Sequence, residues 1–276
     1  MSMFQSSELG GDEPGGFVAE PTELRAIVAL HDALRPSRST TYQSALAGLP
    51  LGDEAADLGG LHTSHATAYG VYHAIRAAVQ RRFDRGDLRG LSVAVQGVGK
   101  VGHELCRHLA EAGVRLHIAD RNAEALEAAA KTFGAAPVPL DQVLGLEVDV
   151  LAPCAVSGVF DDASVGWVRA SIVCGSAHDQ LAADRHGIAL HDQNVLYVPD
   201  YVANAGGAIH IVNTLVGEAR AVIRGRIEAI ADTCRYVFEV AELNAIATSE
   251  AADRLAEVIV QEKRERAVRR ASIAYT

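Results

Sequence analysis

Lysine is scarce in this chain. Of its 25 basic residues only three are lysines, Lys100, Lys131 and Lys263, and the rest are arginines. Any chemistry that needs a side-chain amine as base or nucleophile therefore has three places to find one. Long apolar runs are also missing. Although 49% of the 276 residues are hydrophobic, no run approaches the roughly 20 needed to span a bilayer. The opening MSMFQSSELGGDEPGG lacks the charged start and apolar centre of a secretory signal, so none is expected. The four cysteines, Cys106, Cys154, Cys174 and Cys234, form no Cys-x-x-Cys pair. They sit in apolar or helical surroundings and read as reduced, mostly buried thiols of a cytoplasmic protein. An extended basic tract is absent too, and the formal net charge is −10. That argues against nucleic acid or an anionic membrane surface as partner. The locally basic segment Lys263 to Arg270 fits a solvated helix end, where cations suit the macrodipole.

What is present suffices for one large or two modest cores. Residues 1–20 are rich in Gly, Pro and acids and are expected to be poorly ordered. PTELRAIVALHDALRPS reads as a helix with Leu24, Ile27, Val28, Leu30 and Leu34 near helical spacing, and TYQSALAGL as a short second one. Ala66 to Phe83 predicts a helix with Val71, Ile75 and Val79 on one face. The period then changes. LSVAVQ, VRLHIAD, VDVLAPC, ASIVCGSA and NVLYVPD are short strands, separated by helical segments such as AEALEAAAKTFG. Such alternation means βαβ units and a parallel sheet. The expected class is α/β, a Rossmann-type doubly wound sheet over residues 90–204. From Gly207 onward the pattern predicts two long helices.

The motif with chemistry in it is SVAVQGVGKVGHEL. Gly97, Gly99 and Gly102 form G-x-G-x-x-G between a strand and a helix, and Asp120 ends the next strand, 23 residues beyond Gly97. In that context each part has a reason. Gly97 permits the tight turn, Gly99 lets a pyrophosphate approach the backbone, and Gly102 lets helix and strand pack closely. The first helical turn, with Lys100 and Val101, presents N–H groups to the phosphates. Asp120 accepts from ribose hydroxyls and repels a 2′-phosphate, which predicts NAD as cofactor. Arg121 is placed to stack on adenine or to soften that preference. A P-loop is excluded, because no Ser or Thr follows Lys100.

Together, ATAYGVYHAIRAA, GLSVAVQGVGKVGHELCRHLAEAGVRLHIAD, VDVLAPCA, GSAHDQL, RHGI and YVPDYVANAGGAI resemble the glutamate/leucine/phenylalanine/valine dehydrogenase family, nearest its leucine and phenylalanine branch. The resemblance implies oxidative deamination of amino acids with NAD, on a substrate domain, a Rossmann domain and C-terminal helices that fold back over the cleft. It makes residues 21–89 a truncated, helical remnant of the substrate domain and 205–276 the closing helices. It also implies roles. Ala152, Pro153 and Cys154 end the strand beside the nicotinamide ribose, Asn204 reaches substrate or nicotinamide, and Thr67 lies at the domain junction. Packing is the alternative account of Pro153 and Cys154, a turn cap is the lesser alternative for Asn204, and a structural role weighs evenly with the functional one for Thr67.

Against the family pattern, Gln43 stands where a lysine grips the substrate carboxylate and Ala55 where the catalytic lysine stands. The stretch carrying the catalytic aspartate is absent, and Asp179 replaces the usual Asn. Oxidative deamination needs a base titrating near neutrality, and none of the three lysines is placed to be one. Replacement candidates are His178 with Asp179, on a loop at the carboxyl edge of the sheet, and His65 near Thr67. Each histidine also fits a solvated loop position. His62 and His65 have the spacing of a metal pair but no third ligand, so no metal is expected. Three readings remain. The first is an NAD(H)-dependent oxidoreductase acting on the C–N bond of a small metabolite, with imine reduction as the candidate reaction. The second is a non-catalytic NAD-binding pseudoenzyme or partner subunit, and the third an ordinary amino-acid dehydrogenase. A small-molecule substrate and a homodimer are expected.

Overall fold

The computed structural model describes residues 63–256 and 258, apart from 216. The expected helices before residue 63, together with Gln43, Ala55, His62 and Lys263, lie outside the described residues.

Six parallel strands form the sheet: β1 (Ser92–Gln96), β2 (Arg115–Ala119), β3 (Ala136–Pro137), β4 (Val150–Pro153), β5 (Ile172–Val173) and β6 (Leu196–Tyr197). Their order is β3-β2-β1-β4-β5-β6, the doubly wound arrangement. In register, Val93 sits between Leu116 of β2 and Val150 of β4. Every residue of β1 is buried, as a strand covered on both faces requires. Alternate residues serve two separate cores. Val93, Val95, Val150, Ala152 and Ile172 face one, and Ala94, Leu151 and Val173 face the other, with Phe160 and Leu190. The chain winds outward from β1 in one direction and from β4 in the other. The order therefore reverses between these strands, and the crevice beyond their carboxyl ends is where such sheets take ligands.

Helix α1 (Thr63–Phe83) packs against α2 (Lys100–Glu111), α6 (Gly206–Leu215) and α8 (Ile230–Asn244). The expected Val71–Ile75–Val79 face is buried, and so are Ala66, Ala68, Ala74, Ala77 and Ala78. These alanines let neighbouring helices approach on more than one side, so α1 behaves as a core helix. Its approach to α6 leaves no room at Gly206, where a Cβ would lie 2.1 Å from the Ala66 carbonyl oxygen.

Helix α3 (Ala123–Phe133) starts on Asn122, whose side chain accepts from Ala125 N–H, and stops at Gly134 with φ of +63°. Helix α4 (Asp184–Asp192) and the short α5 (Asp200–Ala203) flank β6. Beyond Gly207 the expectation of two long helices is corrected. The described chain has α6, α7 (Arg220–Glu228), α8 and a further helical stretch over 248–256. Two of the three breaks have local causes: Gly217 takes φ of +77° and Ala245 φ of +51°, and neither conformation continues a right-handed helix.

One polar cluster inside this helical layer sets a pH dependence. The His73 ring packs edge-on against Tyr69 at 4.5 Å and Tyr72 at 5.5 Å between centroids. Its Nε2 is buried without a hydrogen-bond partner. Burial, helped by Arg76, His108 and Arg224 and opposed by Glu228, pushes its pKa down from 6.5 to about 4. The unfolded chain therefore takes up this proton first as pH falls. Stability from neutral His73 is complete above the unfolded value and is lost as pH drops from about 6.5 toward 4, by on the order of 2 kcal/mol. Urea denaturation across that window will show the loss, and His73→Phe will flatten it. An unchanged slope in the variant would assign the pH dependence elsewhere.

Candidate functional site

The turn after β1 is built from backbone. Gly97 has φ of +98°, and its N–H donates to the Ala119 carbonyl at 2.7 Å. At Gly102 a Cβ would sit 1.9 Å from the Gly97 carbonyl oxygen, so α2 and the turn are in direct backbone contact. Gly99 differs: a Cβ there meets nothing within 4 Å. It caps α2 without a side-chain cap bond, and the first turn, starting Lys100-Val101, holds no acidic residue. A helix start without a capping side chain, open at Gly99, suits an anionic group.

Asp120 is fixed beside it. One carboxylate oxygen accepts from Val98 N–H at 2.7 Å and the other from Asn122 N–H at 2.8 Å. A carboxylate oxygen accepts more than one hydrogen bond, so the group is positioned with acceptor capacity to spare. Arg121 beside it is exposed. Turn, helix start and carboxylate are together able to hold the pyrophosphate and adenosine ribose of a dinucleotide.

The second half of the crevice comes from β4, β5 and β6. Pro153 ends β4, and Cys154 N–H donates to the Gln96 carbonyl at 2.7 Å, tying this edge to β1. Cys154 is partly buried, with Ser176 hydrogen-bonded to its thiol. After β5 the loop folds back, and Ala177 N–H donates to the Pro153 carbonyl at 2.9 Å. Gln180, wholly buried, donates its amide hydrogens to the Gly175 and Ala177 carbonyls at 3.1 and 3.0 Å. On this rigid loop His178 and Asp179 are exposed. Asp179 has φ of +47°, a conformation that Asp and Asn tolerate best among residues with a Cβ.

Asn204, buried after α5, reaches this loop. Its Nδ2 donates to the Ser176 carbonyl at 3.4 Å and lies 3.2 Å from His178 Nδ1. The fold thus joins His178 and Asn204, which are far apart in sequence. Asp200, on the same side, accepts from Gln180 N–H and from the Tyr197 hydroxyl, each at 3.3 Å. Burial holds its carboxyl above the usual range, with Asp179 adding to the rise. Ser176, Gln180 and Asp200 were not singled out from the sequence. The available signal was their position, each within a few residues of a strand's carboxyl end.

The remaining candidates sit on α1. His65 Nε2 lies 3.0 Å from Glu104 on α2. Glu104 in turn takes the Arg107 guanidinium at 3.0 Å. His65 thus belongs to a chain of polar contacts between α1 and α2. Thr67 donates to the Thr63 carbonyl at 2.9 Å, and a Cβ on Gly207 would lie 2.6 Å from its hydroxyl oxygen. Among the described residues no three His, Cys, Asp or Glu side chains are grouped to hold a metal ion, and no helix is long and apolar enough to cross a membrane.

Comparison with known proteins agrees with this architecture. The family model for glutamate/leucine/phenylalanine/valine dehydrogenase matches residues 59–122 and 115–223. The chain is 43% identical over 194 residues to leucine dehydrogenase of Bacillus cereus, covering 70% of this chain and 53% of that one. It is 39% identical over 192 residues to L-tryptophan dehydrogenase of Nostoc punctiforme, covering 69% of this chain and 54% of that one. The chain therefore spans about half the length of the curated relatives it matches. The crystal structure of the Nostoc enzyme superposes with a TM-score of 0.69 at 37% identity, covering 73% of this chain and 60% of that one. A hetero-hexameric glutamate dehydrogenase from Thermus thermophilus superposes at 0.60 and 24% identity, over 82% of this chain and 60% of that one, a likeness of fold. With the doubly wound sheet, the glycine turn and the fixed Asp120 in place, the conclusion is that this chain belongs to the glutamate/leucine/phenylalanine/valine dehydrogenase family.

Proposed function

We propose that this chain is an NAD(H)-dependent oxidoreductase acting on the C–N bond of a small amino acid or the corresponding imine. The observation that carries the cofactor reading is the placement of the Asp120 carboxylate beside the Gly97–Gly102 turn, where it accepts from the Val98 N–H at 2.7 Å. NAD, when bound, supplies the hydride acceptor. The residues assigned to it are Gly97, Gly99, Lys100, Val101 and Gly102 at the pyrophosphate, and Asp120 with Arg121 at the adenosine ribose. Pro153, Cys154, Thr67 and Asn204 lie toward the nicotinamide end. Support for a C–N substrate comes from the 43% identity to a leucine dehydrogenase.

The chain's own part is to bind, orient and exclude water. The loop carrying His178 and Asp179 lies beyond the carboxyl end of β5, beside the buried Gln180 and the half-buried Asp200. Whether the reaction is ordinary oxidative deamination or imine reduction turns on residues around Gln43 and Ala55, outside the described part.

Calorimetric titration of the full chain with NAD, NADH and NADP tests the cofactor reading. We expect saturable NAD(H) binding and at least about tenfold weaker NADP, equivalent to about 1.4 kcal/mol. Equal affinity for both would remove Asp120 from the role. With binding established, hydride exchange with NADH across panels of 2-oxo acids with ammonia and of preformed cyclic imines separates the two reactions. No exchange on either panel would favour the non-catalytic reading.

A further inference from the structure

Among the titratable groups of the crevice, His178 has its ring environment most fully specified, and the specification constrains what it can do. Asn204 decides it. The Asn204 amide lies between the Ser176 carbonyl oxygen, 3.4 Å away, and His178 Nδ1, 3.2 Å away. A carbonyl oxygen only accepts, so the amide must turn its NH2 toward Ser176. That same NH2 then points its second hydrogen at His178 Nδ1, which must be the bare, accepting nitrogen. A neutral imidazole with Nδ1 bare carries its proton on Nε2. The amide cannot simply rotate to suit the other tautomer, because turning its oxygen inward would set it against the Ser176 carbonyl. Asn204 is buried, and Ser176 sits on the loop pinned by the Gln180 side chain.

We infer that Asn204 is a positioning residue that selects the Nε2–H tautomer of the neutral His178 ring, so that His178 presents a hydrogen-bond donor to a carbonyl or carboxylate oxygen in the crevice. A proton on Nδ1 would set an N–H against the amide N–H of Asn204. A fixed N–H donor orients and polarises an oxygen. The inference rests on the reading of this crevice as the ligand site, yet its decisive measurement does not.

That measurement is two-dimensional 15N–1H correlation through the histidine ring of the full-length chain, without cofactor, in mildly alkaline buffer. His178 is assigned by the signals lost in His178→Gln. The expected result is one tautomer, with a protonated Nε2 and a bare Nδ1 resonating far downfield of it. A protonated Nδ1, or an averaged pair of shifts, overturns the proposal. Asn204→Asp, nearly isosteric, replaces the NH2 with an acceptor and is expected to put a proton on Nδ1. An unchanged His178 pattern in that variant overturns the role of Asn204. Asn204→Ala gives a second route if the carboxylate is not tolerated, with an averaged pair expected. Failure of NAD(H) binding by calorimetry would count against the cofactor reading while leaving the tautomer result standing, so the two failures are distinguishable.

Discussion

Gly102→Ala will abolish measurable NAD(H) binding and lower stability. The added methyl would start 1.9 Å from the Gly97 carbonyl oxygen and 3.0 Å from its carbonyl carbon, so backbone must move. Neither side is free to do so. Gly97 is held by its bond to Ala119, and the strand end just before it by Cys154 N–H on the Gln96 carbonyl, both at 2.7 Å. Separating α2 from the turn breaks this pinning or opens the β1–β4 edge. Overpacking of this kind costs about 1–3 kcal/mol even where side chains alone adjust, so about 3 kcal/mol is expected here, read as a fall in the urea midpoint. The control is Gly99→Ala. Gly99 has φ of −66° and ψ of −166°, which any residue adopts, and a Cβ there meets nothing within 4 Å. This variant will keep its denaturation midpoint and still lose at least about tenfold in NAD affinity, about 1.4 kcal/mol, because the methyl occupies the space through which the pyrophosphate reaches the helix start. If Gly99→Ala binds NAD as the parent does, the open side of the turn is not the phosphate site.

Asp120→Ala will weaken NAD binding by about 30- to 100-fold, or about 2–3 kcal/mol, the range for hydrogen bonds to a charged group. Two effects combine. The ribose loses its acceptors, and the N–H groups of Val98 and Asn122 lose theirs, so the turn is less well defined before any ligand arrives. NADP affinity will fall much less, because removing the carboxylate also removes its repulsion of a 2′-phosphate and leaves exposed Arg121 as the nearest charge. The ratio of the two affinities should approach unity. A parallel loss for both cofactors would mean that Asp120 acts on the turn alone.

The glycine turn and the acid beside it were legible because their determinants are local. The glycines lie within a few residues of one another, strand and helix periods flank them, and the spacing to Asp120 is set by one βαβ unit. The polar cluster beyond β5 and β6 was not. His178 and Asp179 were visible as polar residues after a strand, but their role depends on Asn204, which arrives from the far side of β6. Asp200, in YVPD, drew no notice from the sequence, and only packing shows that it is half-buried beside Gln180. His65 looked suited to catalysis because it precedes Thr67, and the structure places it against Glu104 at 3.0 Å. The C-terminal pattern was read as two long helices because apolar periodicity carries on across a residue such as Ala245, whose left-handed φ has no signature in composition.

The sequence by itself determined the sheet class, the turn that opens α2 and the acid beside it, because hydrogen bonding, chain stiffness and side-chain period act over short separations. Only the tertiary structure decided which polar groups meet at the carboxyl ends of β4, β5 and β6. It also decided that α1 is enclosed by three other helices and that the Asn204 amide faces His178. Those outcomes depend on how separate elements pack, and dense packing admits one arrangement where periodicity admits many.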